Sequence, residues 1–307
     1  VDMTPSGDID GYIELIFSSD KNALATIIEK SADAEHAVIY AYFNNTEEIV
    51  DHLYNIQKYD YILAKVLIDK AVDRVAYNEI QSLKEYEESL LNKCVSDNLF
   101  AYKNRVKWIF KGEQQKVSSH KDFNKLLSKV CDEVYSEAPV MINELFNRHK
   151  LSGAISAARK NYLAALVEHY NEEDLGFEKD KFPPEKTIYY SLLKNTGLHI
   201  GSGFADAPTN EGVMTLWNES MRFLKSTVGK QRRISELIKI LSTQPFKLKQ
   251  GFLDFWIPTF LFIKRQDFAL YDVNRGAYIP NVDMLFFDLL QKHPADYAVK
   301  AFEVDGV

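Results

Sequence analysis

The twelve residues from Phe252 to Ile263 constrain this chain more than any other stretch. They are apolar on nearly every face of a helix, broken only by Asp254, Pro258 and Thr259. A helix with no polar stripe must be covered on all sides, so the chain has to wrap a core around it. At twelve residues it falls short of the roughly 20 needed to span a bilayer. No signal peptide opens the sequence, so no membrane partner and a cytoplasmic location are expected. The start at Val1-Asp2-Met3 and the stop in Phe302 to Val307, which reads like a strand cut short, look like boundaries within a longer protein.

Around this helix the last eighty residues have a clear order. Ile234 to Leu241 has apolar positions 234, 237, 238 and 241, and Gln244-Pro245-Phe246 ends it. After the apolar helix, Phe268 to Val273 and Ala277 to Ile279 read as strands joined by Asn274-Arg275-Gly276, a hairpin turn. Val282 to Gln291 is a last helix. Helix, helix, hairpin, helix is the order of a winged-helix variant of the helix-turn-helix.

The front of the chain reads differently. Tyr12 to Phe17, a helix near Lys21 to Lys30, and the β-rich run Ala37 to Phe43 make a β-α-β unit, its second strand buried on both faces. An acidic helical stretch follows to about Phe100, in which Tyr77 to Leu91 reads as a surface helix and one arm of a helical hairpin. Val106 to Phe110 is expected as an edge strand. Ser118 or Ser119 then caps a helix, and further helices fill the middle. The expected fold is α+β and predominantly helical. It comprises a short N-terminal β-α-β portion with an acidic helical insertion (1–135), a helical domain (136–225) and a C-terminal winged-helix-like module (226–307).

Charge is uneven. The chain carries −7 in all, yet residues 226–265 hold eight Lys or Arg against two acids. A solvated face is the plain explanation; contact with DNA through Lys230, Arg232, Arg233, Lys247 and Lys249, with Arg275 at the wing, is the sharper one. Such cations would grip phosphates without reading bases.

Catalytic constellations are missing from the sequence, and no catalytic or metal-ligating residue is assigned. Val228-Gly229-Lys230-Gln231 lacks the first glycine and the hydroxyl of a phosphate loop. The seven histidines do not cluster at ligand spacing. His199, in the glycine-rich stretch 197–213 that is expected to be the longest and most mobile loop, reads as a surface or capping residue. Cys94 and Cys131 are expected to be small buried residues of a reduced protein. Glu144 and Arg148 stand four apart on a helix, and Arg159 lies further along. They read as surface ion pairs worth about 0.3–0.5 kcal/mol, or as an interface from which an arginine reaches a nucleotide bound elsewhere.

Several blocks carry a resemblance: Ala138-Pro139, Ile142-Asn143-Glu144-Leu145, Lys150-Leu151-Ser152-Gly153-Ala154, Ala157-Ala158-Arg159, Phe182 to Tyr189, Gly197-Leu198-His199, and Gln244 to Gly251 with the apolar helix after it. Over roughly 135–302 the chain resembles the region downstream of the motor core in large bacterial P-loop ATPases, including the bacteriophage-exclusion (BREX) type. That family often carries tyrosine and glycine where Phe246 and Lys247 stand here. The resemblance implies a parent ATPase in phage defence or DNA metabolism. ATP would belong to that parent, and this chain itself would hold no cofactor. The expected role is a non-catalytic piece of the ATPase. It would serve assembly with the upstream core of the same polypeptide, or self-association, and would touch DNA nonspecifically. The alternative is a helical scaffold unrelated to any ATPase.

Overall fold

The computed structural model describes residues 3–18, 20, 22–64, 68, 70–102, 104–140 and 143–303. It is α+β with helix predominant, and it divides into two compact units, Val1–Val134 and Tyr135–Val307.

In the first unit β1 (Tyr12–Ile16), α1 (Ala23–Ala32) and β2 (Val38–Phe43) form a β-α-β element with the two strands parallel. The continuous run in β2 is explained by burial on both faces: Val38, Ile39, Ala41 and Phe43 are all buried. Helices α2 (Glu47–Ala64) and α3 (Arg74–Leu99) form a hairpin tied by His52 Nδ1 to Glu87 (2.7 Å) and Lys84 Nζ to Asp60 (2.6 Å). Strand β3 (Val106–Phe110) is not an edge. It pairs antiparallel with both β2 and β4 (Glu113–Gln115), giving the order β1-β2-β3-β4. The sequence hid this because β4, three polar residues long, has no β-pattern of its own.

The last helix of this unit, α4 (His120–Val134), starts at the serine pair. Ser119 Oγ accepts from the Asp122 amide at 3.2 Å, and Asp122 accepts from the Ser118 amide and hydroxyl. That is a reciprocal cap. Phe123 then packs on Trp108, ring centroids 5.0 Å apart. Cys94 is buried, but Cys131 is exposed on the outer side of α4, so only one cysteine is a core residue.

The second unit contains α5 (Gly153–Glu168), α6 (Pro184–Tyr189) running on into a π-turn (Tyr190–Lys194), α7 (Glu211–Lys225), α8 (Ile234–Ser242), α9 (Gln250–Ile263) and α10 (Met284–Lys292). Its sheet has the order β7-β10-β8-β9, from Arg232–Arg233, Tyr297–Ala301, Phe268–Asp272 and Ala277–Ile279. Between α6 and α7 the stretch expected to be a loop folds into a small hairpin, β5 (His199–Ile200) and β6 (Gly203–Phe204). Leu198 and His199 there are buried, and the Thr209 amide donates to the Thr196 carbonyl at 2.9 Å. The expected border between 136–225 and 226–307 falls inside one hydrophobic cluster that runs from Phe146 to Ala301. The Phe302 to Val307 ending was expected as a strand, but strand β10 stops at Ala301, and 304–307 lie outside the described residues. Ile142 of the resemblance also lies outside them.

Helix α9 organises this unit. Eleven of its fourteen residues are buried, including Phe252, Trp256 and Phe260. At its N-terminus the Gly251 amide donates to the Arg148 carbonyl at 2.7 Å. A Cβ there would stand 2.3 Å from the Arg148 oxygen and 2.7 Å from the Phe146 oxygen, so the position has no room for a side chain. The segment 143–151, expected as helix, is instead a series of turns that seats this glycine.

Candidate functional site

The six candidate DNA-contacting cations stand in three places along the chain, at β7, after α8 and in the β8–β9 turn. Arg232 and Arg233 lie in β7 at the sheet, Arg233 opposite Ala298. Arg232 is engaged: its Nε and Nη2 both reach Glu236 at 3.0 Å, Nη1 donates to Ser226 at 2.6 Å, and its guanidinium lies 4.7 Å over the Phe223 ring. Lys230 and Arg233 are exposed beside it. Lys247 and Lys249 lie beyond the other end of α8, nine residues or about 13 Å along its axis. Arg275 projects from the β8–β9 turn, and its Nε stands 3.8 Å from Asp272. Asp272 also accepts the Asn274 and Arg275 amides at 3.0 Å, which fixes that turn.

The three candidate interface residues also separate. Arg148 Nε donates to the backbone carbonyl of Glu144 at 3.1 Å rather than to its carboxylate, so the expected surface ion pair is replaced by a turn contact. Arg159 is no surface residue at all. It is 2% exposed, donates to Gln291 on α10, and its Nε has no hydrogen-bond partner among the described residues. Burial lowers its pKa from the ordinary arginine value, with Asp254 and Asp288 opposing that. Asp254 lines the same small cavity of about 30 Å³. Its carboxyl is pushed up by burial, with Gln250 and Arg159 pulling the other way. Of the resemblance block, Ala158 and Arg159 are therefore buried, while Ala157 is exposed.

The best-defined polar constellation is one the sequence reading touched only at His199. That histidine is 3% exposed, neither a surface nor a capping residue. Its Nε2 is 3.1 Å from the Tyr170 carbonyl, and its Nδ1 is 2.9 Å from the Tyr189 hydroxyl. Tyr189 in turn stands 3.2 Å from Asp174 Oδ1, and Lys194 Nζ donates to both oxygens of Asp174 at 2.6 and 2.7 Å. The chain Lys194–Asp174–Tyr189–His199–Tyr170 thus runs from a half-exposed ammonium through buried Tyr189 and His199 to the backbone of exposed Tyr170.

Two backbone irregularities build this chain. Asp174 and Leu175 both have φ of 51°, left-handed values that cost non-glycine residues roughly 1–2 kcal/mol each. The π-turn Tyr190–Lys194 carries Lys194 to the same place, and π-turns recur at functional sites. Burial holds the His199 pKa below the ordinary histidine value. Burial, followed by the Asp174 carboxylate, raises that of Tyr189. Asp174 is raised by burial but brought below the usual carboxylate range by Lys194, whose own pKa its bond to Asp174 raises.

Hydrogen-bond direction follows from these charges. The single Tyr189 proton is shared between two acceptors, Asp174 Oδ1 at 3.2 Å and the Nδ1 of neutral His199 at 2.9 Å, whose own proton on Nε2 serves the Tyr170 carbonyl. Protonated His199 donates from Nδ1, and the Tyr189 proton turns to Asp174. The arrangement can therefore pass a change of charge from the core to the Asp174–Lys194 pair. Asp174, Tyr189 and Lys194 were missed because they are twenty residues apart at the extremes and share no motif. The only signal was a histidine in a glycine-rich segment.

Among the described residues no group of three or more His, Cys, Asp or Glu could hold a metal ion, and no helix is long and apolar enough to cross a membrane. Comparisons with protein-family models, with curated proteins and with solved structures find no match.

Proposed function

We propose that this chain is a non-catalytic module of a larger bacterial ATPase, used for assembly, with weak and nonspecific DNA contact as an accessory property. The order α8, α9, β8–β9 hairpin supports reading its C-terminal part as a winged-helix derivative. Strand β10 takes the place beside β7 in the sheet. The observation that carries the reading is the burial of α9. In a DNA-reading winged helix the second helix leaves a polar face for the major groove, whereas α9 is enclosed by its own unit. The burial of that helix supports assembly over base readout, and exposed side chains such as Tyr278 at 58% suit protein contact. The ATPase half of the proposal rests on the resemblance of residues 135–302.

Two observations test it together. Calorimetry of this chain with ATP should show no micromolar binding. The reading frame upstream of Val1 should encode a phosphate loop; a complete frame without one would leave the scaffold reading in its place.

A further inference from the structure

The first unit contains a groove of about 500 Å³ whose lining holds no acidic residue. Strand β4 pairs only with Trp108 to Phe110, so beyond Gln115 the chain leaves β3 and opens a space beside Val106 and Lys107. Lys107 and Lys116 supply charge there, and Asn44, Asn104, Gln114 and Gln115 supply side-chain amides.

We propose that this groove binds a phosphate-bearing ligand. The charge distribution singles it out. Residues 1–100 hold 19 acids against eight Lys or Arg, whereas 101–134 hold eight Lys or Arg against four acids. Lys111 and Lys129 are held by Glu133. Lys107 and Lys116 have no such carboxylate among the described residues. A concave site lined by one sign of charge focuses the field on an oppositely charged ligand. At the Ser118 corner the Asp122 carboxylate accepts from the Ser118 amide and hydroxyl at 3.2 and 2.7 Å, and these bonds hold its pKa below the usual range. It stays charged, and it directs an anion away from the Ser118 corner and toward the two lysines.

The amides add a second constraint. The Asn44 amide already donates to the Asn104 carbonyl, and that of Gln115 donates to the Glu113 carbonyl and accepts from Lys129, so Asn104 and Gln114 are the amides that face sugar hydroxyls, base edges or phosphate oxygens. A volume of this size takes a nucleotide unit, within the roughly 300–1,000 Å³ of small-ligand sites. The phosphate can come from a single-stranded nucleic acid or from a free anion, and the inference is independent of any parent ATPase.

The test uses the whole 307-residue chain with three probes, a labelled oligothymidylate, pyrophosphate and inorganic phosphate. Each is titrated against the original chain, a K107A/K116A variant, a K107Q/K116Q variant and a K121A/K125A variant on the exposed side of α4. Thermal melts establish that each variant folds. The oligonucleotide is expected to bind at about 50 mM salt. Both groove variants should weaken binding at least tenfold and make the log–log salt slope shallower by about 1.4, two single-strand phosphate contacts at about 0.7 each. Binding of the small anions alone, with the same dependence on Lys107 and Lys116, would assign the site to a free phosphate compound. No binding by any probe, or an equal loss in K121A/K125A, would overturn the proposal.

Discussion

The indole N–H of Trp256 donates to the Ser220 hydroxyl at 3.0 Å, joining α9 to α7 where both residues are fully buried. Ser220 passes its own proton to the Leu216 carbonyl at 2.9 Å, so the indole finds an acceptor without leaving any polar atom unpaired. Trp256→Ala should cost about 3–5 kcal/mol. Ser220→Ala removes only an oxygen, yet it strands a buried N–H and should cost about 1–3 kcal/mol. Denaturant unfolding checks both, and a Ser220→Ala midpoint equal to that of the original chain would contradict this role.

Gly251 gives a sharper steric prediction. Because a Cβ would fall 2.3 Å from a backbone oxygen, Gly251→Ala must displace the 146–148 turn or the start of α9. The loss should exceed the usual gain of about 1 kcal/mol that alanine gives over glycine inside a helix. Equal or raised stability of the variant in chemical denaturation would show that the close approach is not there.

Lys247 makes the opposite case. Its φ of 52° is left-handed, and its amide donates to the Thr243 carbonyl at 2.8 Å as α8 ends. Glycine fits this left-handed backbone better than lysine does. Lys247→Gly should stabilise the chain by about 1 kcal/mol. A lower melting temperature in that variant would refute this.

His199 sets a pH dependence. Its folded pKa lies below its unfolded value of about 6.5. In the window beneath 6.5 the unfolded chain therefore binds more protons, and stability rises with pH there. The contribution is complete above about pH 6.5 and is lost as pH falls toward the folded pKa. Melting temperatures should be level near neutrality and decline below about pH 6.5, and His199→Gln should flatten that decline. An unchanged slope in the variant would mean that other groups carry it.

How much of this was legible depended on pattern length. The β-α-β start was readable because Val38 to Phe43 is a sustained β-rich run, and α9 because twelve residues offer no polar face. Strands β4 and β7, three and two residues long, exist only through their partners and leave no trace in the sequence. Strand β10 was missed because Tyr297 to Ala301 follows a histidine–proline stop and ends beside Thr227, whose hydroxyl accepts the Ala301 amide at 2.8 Å. The polar chain at His199 depends on left-handed Asp174 and on a π-turn, neither of which residue type encodes. Arg159 was misread because a lone arginine on a helix is ordinarily solvated, whereas here Gln291 and the burial of α5 draw it inward.

Helix α9 is core, so the DNA contact proposed for the C-terminal part is nonspecific. Anisotropy titrations of the chain with two unrelated labelled duplexes, repeated from about 50 to 200 mM salt, test it most directly. Affinities for the two duplexes should be equal within a few-fold and fall steeply with salt. Part of the binding should be lost when Lys230, Arg233 and Arg275 are changed to alanine. Salt-resistant binding that prefers one duplex by about a hundredfold would be base readout and would rule out purely nonspecific contact.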